Sequence, residues 1–219
     1  MKEKSLVQKL LIFITSIFVL VFACSASVLA ASNRGKTKKP WAAAYKKIVK
    51  ELETEYKDSD VKITYDLIFF NDDMTPELVA GMNDYWVSMY TYDKGKVYTV
   101  MDQWGYGAMG NAGYSYYPKK NVLVNYDNDF AGLRYYTYYG KMKNHEMVDL
   151  HKKSLRIDYF IDKNQDGMPQ EEEYSLDNPI YYYGEKKISE KKYNKYLVQG
   201  DTKDIRGRYS KKKILKKLS

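Results

Sequence analysis

Val61-Lys62-Ile63-Thr64-Tyr65-Asp66-Leu67-Ile68-Phe69 decides the class of fold. Val61, Ile63, Tyr65, Leu67 and Phe69 alternate with Lys62, Thr64 and Asp66, and the run stops at the turn cluster Asn71-Asp72-Asp73. A period of two sends successive side chains to opposite faces, so the stretch reads as a strand with one buried face. Such a strand needs a partner layer. On its N-terminal side, Trp41, Tyr45, Ile48, Leu52 and Tyr56 recur at helical spacing behind Pro40, while Lys46, Lys47, Lys50, Glu51 and Glu53 occupy the other faces. That is an amphipathic helix positioned to lie on a sheet.

On the C-terminal side nearly everything is strand-like. A second strand starts near Pro76-Glu77-Leu78-Val79, and Tyr85 to Tyr92 joins Lys96 to Met101 through the turn Asp93-Lys94-Gly95. Further runs are Gly113 to Tyr117, Val122 to Tyr126, Leu133 to Tyr139, Glu146 to Leu150, Leu155 to Ile161 and Ile180 to Tyr183. Ser189 can cap a helix through Tyr193 and Leu197, and Ser210 one carrying Ile214, Leu215 and Leu218. The expected fold is α+β: an antiparallel β-meander sheet packed by an N-terminal helix, with short C-terminal helices.

Ahead of this body the chain reads as an export signal. Lys2, Lys4 and Lys9 precede the apolar run Leu10 to Ala23, and Val28-Leu29-Ala30 offers small residues for cleavage after Ala30. Two other outcomes stay open. Cys24 follows Val21-Phe22-Ala23, an approximate lipobox, and an uncleaved run would anchor the chain. The expected divisions are 1–30 signal peptide, 31–39 basic linker, 40–202 a single α+β domain, and 203–219 a basic C-terminal tail carrying a short helix. Cys24 is the sole cysteine, so the exported body has neither disulfide nor thiol chemistry and must be held by its core. The location implied is secreted or extracellular, on a Gram-positive cell surface, or membrane-anchored through Cys24 or an uncleaved signal.

Charge is concentrated at the ends. Without the signal the chain carries +6; residues 33–39 hold four of those charges and residues 203–219 a net seven, which leaves the body between them at about −5. Basic ends on an acidic body suit an anionic cell-wall polymer or lipid headgroups, or are simply solvated. No nucleic-acid partner is expected, and a membrane only through an uncleaved or lipidated N-terminus.

The most specific motif is Asp162-Lys163-Asn164-Gln165-Asp166-Gly167-Met168-Pro169-Gln170-Glu171-Glu172-Glu173. It meets the twelve-residue calcium-loop pattern at every specified position. Asp162, Asn164 and Asp166 supply side-chain oxygens, Gly167 the sharp turn, Met168 a backbone carbonyl and Glu173 a bidentate carboxylate. Calcium is therefore the expected cofactor. The alternative is an acidic turn between two strands, because Leu155 to Ile161 reads as a strand and no helix comes after Glu173.

Other patterns exclude more than they support. Gly105-Tyr106-Gly107-Ala108-Met109-Gly110 fits GxGxxG, yet Asn111 to Pro118 would make a poor helix, so a flexible glycine loop is expected rather than a phosphate cradle. His145 begins an HExxH-like run that has Asp149 where the second histidine should stand, and His151 falls two residues late. No G-x-S-x-G elbow occurs. Tyrosine is abundant, 24 residues, bunched in Tyr114 to Tyr117, Tyr135 to Tyr139 and Tyr181 to Tyr183, so adjacent tyrosines must face both sides of a sheet. One side can pack in the core while the other packs half-buried or offers aromatic rings to sugars or a protein partner.

The stretch Tyr65-Asp66-Leu67-Ile68-Phe69-Phe70-Asn71-Asp72-Asp73-Met74-Thr75-Pro76-Glu77-Leu78-Val79 resembles the YxLIxxDDDxxPEL signature of uncharacterised secreted proteins and lipoproteins of Gram-positive anaerobes. Trp41 at the head of the early helix and Tyr183-Gly184-Glu185-Lys186-Lys187-Ile188-Ser189-Glu190-Lys191-Lys192-Tyr193 are similar to further features of that group. The resemblance implies surface export and no activity. Met74-Thr75 stands where those proteins often carry acidic residues, so no acidic-loop role is expected of this first motif.

Two functions emerge as expectations. The first is a non-enzymatic surface protein whose tyrosine-rich sheet binds a ligand, glycan or surface protein, stiffened by calcium. The second is a cell-wall hydrolase or hydrolase inhibitor whose carboxylates no motif locates.

Overall fold

Pro40 fixes the backbone for the first helical turn, and α1 (Pro40–Glu55) begins there in the computed structural model, which describes residues 39–219. The expected signal peptide 1–30 with Cys24, and linker residues 31–38, lie outside the described residues. Ala42, Tyr45, Val49 and Leu52 are the buried stripe of α1. They lie on the first sheet: β1 (Thr64–Ile68), β2 (Glu77–Met82), β3 (Trp86–Asp93) and β4 (Lys96–Gly105), antiparallel in the order β1-β2-β3-β4. The Tyr45 hydroxyl ties helix to sheet, 2.9 Å from the Pro76 carbonyl oxygen and 3.2 Å from that of Tyr90. β3 and β4 meet through Lys94-Gly95, both at positive φ, the twist a two-residue hairpin loop requires. β1 is shorter than the alternating run: its ladder with β2 extends only from Thr64 opposite Gly81 to Ile68 opposite Glu77.

The meander continues into a second antiparallel sheet. It comprises β5 (Tyr114–Tyr117), β6 (Val122–Asp129), β7 (Arg134–Lys143), β8 (Glu146–Asp149), β9 (Leu155–Asp158), β10 (Ile180–Tyr183), β11 (Lys186–Ile188) and β12 (Lys203–Asp204). Its order is β11-β10-β9-β7-β6-β5-β12, with β8 pairing the far half of β7. Helix α2 (Glu190–Asn194) is capped by Ser189, whose Oγ accepts the Lys192 N–H, and α3 (Lys211–Lys217) starts after Ser210. The fold is α+β as expected, with the strands divided between two sheets.

Three apolar clusters separate the layers. α1 and α3 cover one face of the first sheet through Tyr45, Val49, Leu78, Ala80 and Ile214. Ile68, Val79, Met89, Met101, Tyr116 and Leu123 fill the gap between the sheets. Val122, Val124, Tyr139, Leu155 and Tyr193 lie on the outer face of the second sheet, under α2. The tyrosines divide as period two demands, Tyr139 entering the outer core while Tyr138 stays exposed.

Residues 203–219, expected as a tail, are built into this structure. Tyr65 N–H donates to the Tyr209 carbonyl at 2.9 Å, and the Arg208 and Tyr209 N–H groups donate to the Tyr65 carbonyl at 2.8 Å. Gly207 lies so close to the Thr64 backbone that any side chain there would collide with it. Ile205, Ile214 and Leu218 are buried. Ile214→Ala should therefore lower unfolding free energy by about 2–4 kcal/mol in urea titration, whereas a solvated tail would show almost no change.

The first sheet also buries a carboxyl. Glu77 is fully buried; its Oε2 accepts the Phe70 N–H at 2.9 Å, and the Thr91 hydroxyl lies 3.5 Å from Oε1. Burial pushes its pKa up to about 7 against the pull of the Phe70 N–H. The native state therefore holds a proton that the unfolded chain has lost, over the range from the ordinary carboxyl value of 4.5 up to about 7. Stability from this group is complete below 4.5 and falls as pH rises through that window, by about 1.4 kcal/mol per unit. Glu77→Gln should flatten this slope, so that urea midpoints at pH 5 and pH 7.5 differ less in the variant than in the parent.

Candidate functional site

The acidic loop joins β9 to β10. Its base is a narrow antiparallel clasp: Phe160 bridges Tyr174, Ile161 N–H donates to the Glu173 carbonyl at 2.8 Å, and Ser175 N–H to the Tyr159 carbonyl at 2.7 Å. Within it the chain folds around its own carboxylates. Glu173 is buried; its Oε1 accepts N–H groups of Lys163 at 2.6 Å and Asn164 at 3.4 Å, and its Oε2 accepts that of Gln170 at 3.2 Å. Asp162 Oδ2 accepts the Gly167 N–H at 3.0 Å, where positive φ makes the turn. Asn164 Oδ1 accepts the Asp166 N–H at 3.1 Å and Asp166 Oδ1 the Met168 N–H at 2.8 Å. The Asn164 amide also donates to Asp166 Oδ2 at 3.0 Å.

Hydrogen bonds thus link Asp162, Asn164, Asp166 and Glu173 to one short backbone, with the Met168 side chain outside and exposed. Asp162 Oδ1 is shielded from solvent and has no hydrogen-bond partner. The flanks are the β9 clasp and a single 3-10 turn, Glu171–Glu173, rather than paired helices. Among the described residues no group of three or more His, Cys, Asp or Glu side chains is gathered so as to hold a metal ion.

Beside the loop lies part of the second sheet's inner face. Residues opposite one another across a ladder share a face. The register sets Asp127, Tyr136, Arg156, Tyr182 and Lys187 in one row, Asp129, Arg134, Asp158 and Ile180 in the next, and Tyr114, Asn125 and Tyr138 in a third. Arg134 grips the buried Asp158 with two bonds, Nε to Oδ1 at 2.8 Å and the second nitrogen to Oδ2 at 3.2 Å, and its guanidinium lies 5.1 Å from the Phe130 ring and 4.9 Å from the Phe160 ring. Burial alone would lower the Arg134 pKa; its bonds to Asp158 override that and raise it.

Arg156 Nε stands 3.2 Å from the same Asp158 oxygen without hydrogen-bond alignment, and its guanidinium stacks 4.1 Å above Tyr182. Tyr136 and Tyr138 stack at 6.0 Å, and Tyr138 is 43% exposed. Burial pushes the Tyr138 hydroxyl up, reinforced by Tyr136 and Asp127. Tyr138 borders a cleft of about 220 Å³ that Trp104, Tyr114, Asn125 and Met147 also line.

The remaining motifs make structural contacts. The glycine loop is pinned rather than flexible: Gly107 N–H donates to the Asn111 carbonyl at 2.8 Å, the Asn125 amide to Asn111 Oδ1 at 2.8 Å and the Asn128 amide to the Gly110 carbonyl at 3.1 Å. It leads into β5, so no helix N-terminus faces a phosphate. His145 Nε2 lies 3.1 Å from Asp93 Oδ2 under the stacked Tyr98 ring, and His151 Nε2 lies 2.9 Å from the Tyr196 carbonyl oxygen. The two histidines serve different packing contacts. Arg156 and Asp158 share a face of β9, but Arg134 reaches them only because β7 pairs with β9, so no sequence motif unites the three.

Comparison with protein-family models, with curated proteins and with solved structures finds no match for this chain.

Proposed function

We propose that the chain is an exported, non-catalytic surface protein that binds a glycan on the inner face of its second sheet, with the acidic loop serving as a calcium staple beside that face. One observation carries the reading: Tyr136, Tyr138 and Tyr182 lie on the same face as Asn125, Asp127 and Arg156. Sugar rings offer C–H faces to aromatic rings and hydroxyls to planar amide, carboxylate and guanidinium groups, and this face supplies both kinds of partner. Asp158, the buried carboxylate of the face, is ion-paired with Arg134 and lies 3.2 Å from Arg156, so its oxygens already face two cations.

The loop supports the calcium part. Its donors are all oxygen, the chemistry of a hard cation, and the unpartnered Asp162 Oδ1 is an oxygen that burial makes costly without a counter-charge. Asp162, Asn164, Asp166 and Glu173 would hold the ion, with the Met168 carbonyl. A carboxylate oxygen that takes one N–H keeps a lone pair for a cation. The ion would lock the β9–β10 connection, and through Phe160 the Arg134–Asp158 pair.

Two measurements test the reading. Calcium at 10 mM should stabilise the fold by about 1.4–2.7 kcal/mol for affinities of about 0.1–1 mM, raising the melting temperature by roughly 3–10 °C. EDTA should reverse this and Asp162→Ala abolish it; an unchanged melting temperature would remove calcium from the account. Separately, the protein should co-sediment with purified cell-wall glycan. Tyr138→Ala with Tyr182→Ala should weaken that binding more than tenfold at unchanged stability, while Tyr135→Ala, on the opposite face, should bind normally. Equal binding by both variants would sink the face as a glycan site.

A further inference from the structure

The outermost layer over the first sheet is α1 with α3, and its surface charge is sorted. Ala42, Tyr45, Val49 and Leu52 point α1 at the sheet. At 100° per residue, Lys46, Lys50 and Glu53 fall on one flank of that stripe, Lys47 points outward, and Glu51 and Glu55 fall on the other flank. Glu53 identifies the flank that meets α3, since its Oε2 lies 3.3 Å from Lys211 Nζ. α3 turns Ile214 and Leu218 inward and leaves Lys212, Lys213 and Lys216 exposed, while Lys217 lies 4.4 Å above Tyr209.

Apart from the Glu53–Lys211 pair where they meet, the two helices together therefore present mainly lysine charge on their outer surfaces. Among the described residues no carboxylate forms an ion pair with Lys46, Lys47, Lys50, Lys212, Lys213 or Lys216.

We infer that this helical face docks on an anionic phospholipid surface, whether or not the N-terminus remains anchored. Three properties select that occupant. The face is supplied by lysines, mobile point charges without the planar fork with which arginine grips individual phosphates, so it is matched to a field of charge and not to one ligand group. Six such lysines fall within the four-to-eight range of basic clusters that adsorb to acidic lipid. The large apolar residues of the layer, Trp41, Ile48 and Leu215, are packed against the core and not presented outward, so contact would be electrostatic adsorption without insertion. This inference is independent of the glycan face, which lies on the other sheet.

The test uses the exported full-length chain and vesicles of phosphatidylcholine with or without 30% phosphatidylglycerol. It should sediment with the acidic vesicles at least tenfold more tightly than with neutral ones, and 0.5 M salt should abolish the difference. Lys46→Gln, Lys50→Gln, Lys213→Gln and Lys216→Gln together should cut acidic-vesicle affinity more than tenfold, roughly fivefold per lysine at most. Lys186→Gln with Lys187→Gln, on β11, should leave it unchanged. Circular dichroism checks that both variants keep the fold. Equal binding to neutral vesicles, or an unaffected quadruple variant, overturns the proposal. Preference for soluble poly(glycerol phosphate) over vesicles at equal phosphate would replace lipid with a polymer and overturn it as well.

Discussion

Strand β2 has no solvent side, and the architecture follows from that constraint. Glu77, Leu78, Val79 and Ala80 are all fully buried, so the first sheet must be covered on both faces. Leu78 and Ala80 require the helical layer, and Val79 requires the second sheet. Each layer follows from one of the two side-chain directions that a strand offers. The same burial explains why a carboxyl sits there. Glu77 Oε2 closes the Phe70 N–H just after β1, where the chain leaves the ladder for the turn at Asn71 to Thr75. In that turn the Asn71 and Asp73 side chains accept the Asp73 and Thr75 N–H groups. The acidic string between β1 and β2 thus satisfies backbone donors, and its last member does so from inside the core, as a group held protonated across part of the neutral range.

Local pattern reveals the elements, and pairing reveals their grouping. The period-two run at Val61 to Phe69, the stripe from Trp41 to Tyr56 and the Lys94-Gly95 turn each depend on residues close in sequence, so the helix, the first strands and the hairpin are legible. Consecutive antiparallel strands, however, look alike whether they share one sheet or pass into a second. What separates the sheets is burial on both faces at Leu78 to Ala80 and Val122 to Val124, and a continuous apolar run does not reveal which neighbours will cover it. The C-terminal segment is obscured by its own charge. Lys211 to Lys217 is dominated by lysine, yet Ile214 and the adjoining Leu218 are core residues, and the Tyr65–Tyr209 bridge that docks the segment joins residues far apart in sequence.

The two parts of the candidate site differ for the same reason. The acidic loop is a local motif: its hydrogen bonds run among residues within about one loop length, so spacing alone indicates which side chains can reach its own backbone. The polar centre of the sheet face is not local. Arg134 and Asp158 meet because β7 pairs with β9, and Arg156 joins them by the same register. No residue type in those strands advertises the encounter. Phe160 links the two parts, bridging Tyr174 at the base of the loop and flanking Arg134 with its ring.

Unequal sheets explain why an inner face is open at all. Eight strands pack against four, so the strands farthest along the larger sheet, β9, β10 and β11, extend beyond the cover the smaller one provides. Geometry dictates that such a ledge exists but not what stands on it. A ledge serving only solubility would carry lysine and glutamate, which cost least to leave in water. Tyr182 on β10, with Tyr136 and Tyr138 on β7 next to β9, instead places large rings at this ledge, with Arg156 stacked on Tyr182 and Asp158 buried beside two guanidiniums. Desolvating that ion pair is unfavourable unless other contacts offset it, and much of its surroundings is aromatic. Packing requires the outer tyrosines under α2; it makes no such demand on the ledge, and that excess of ordered aromatic and charged groups is what points to a ligand.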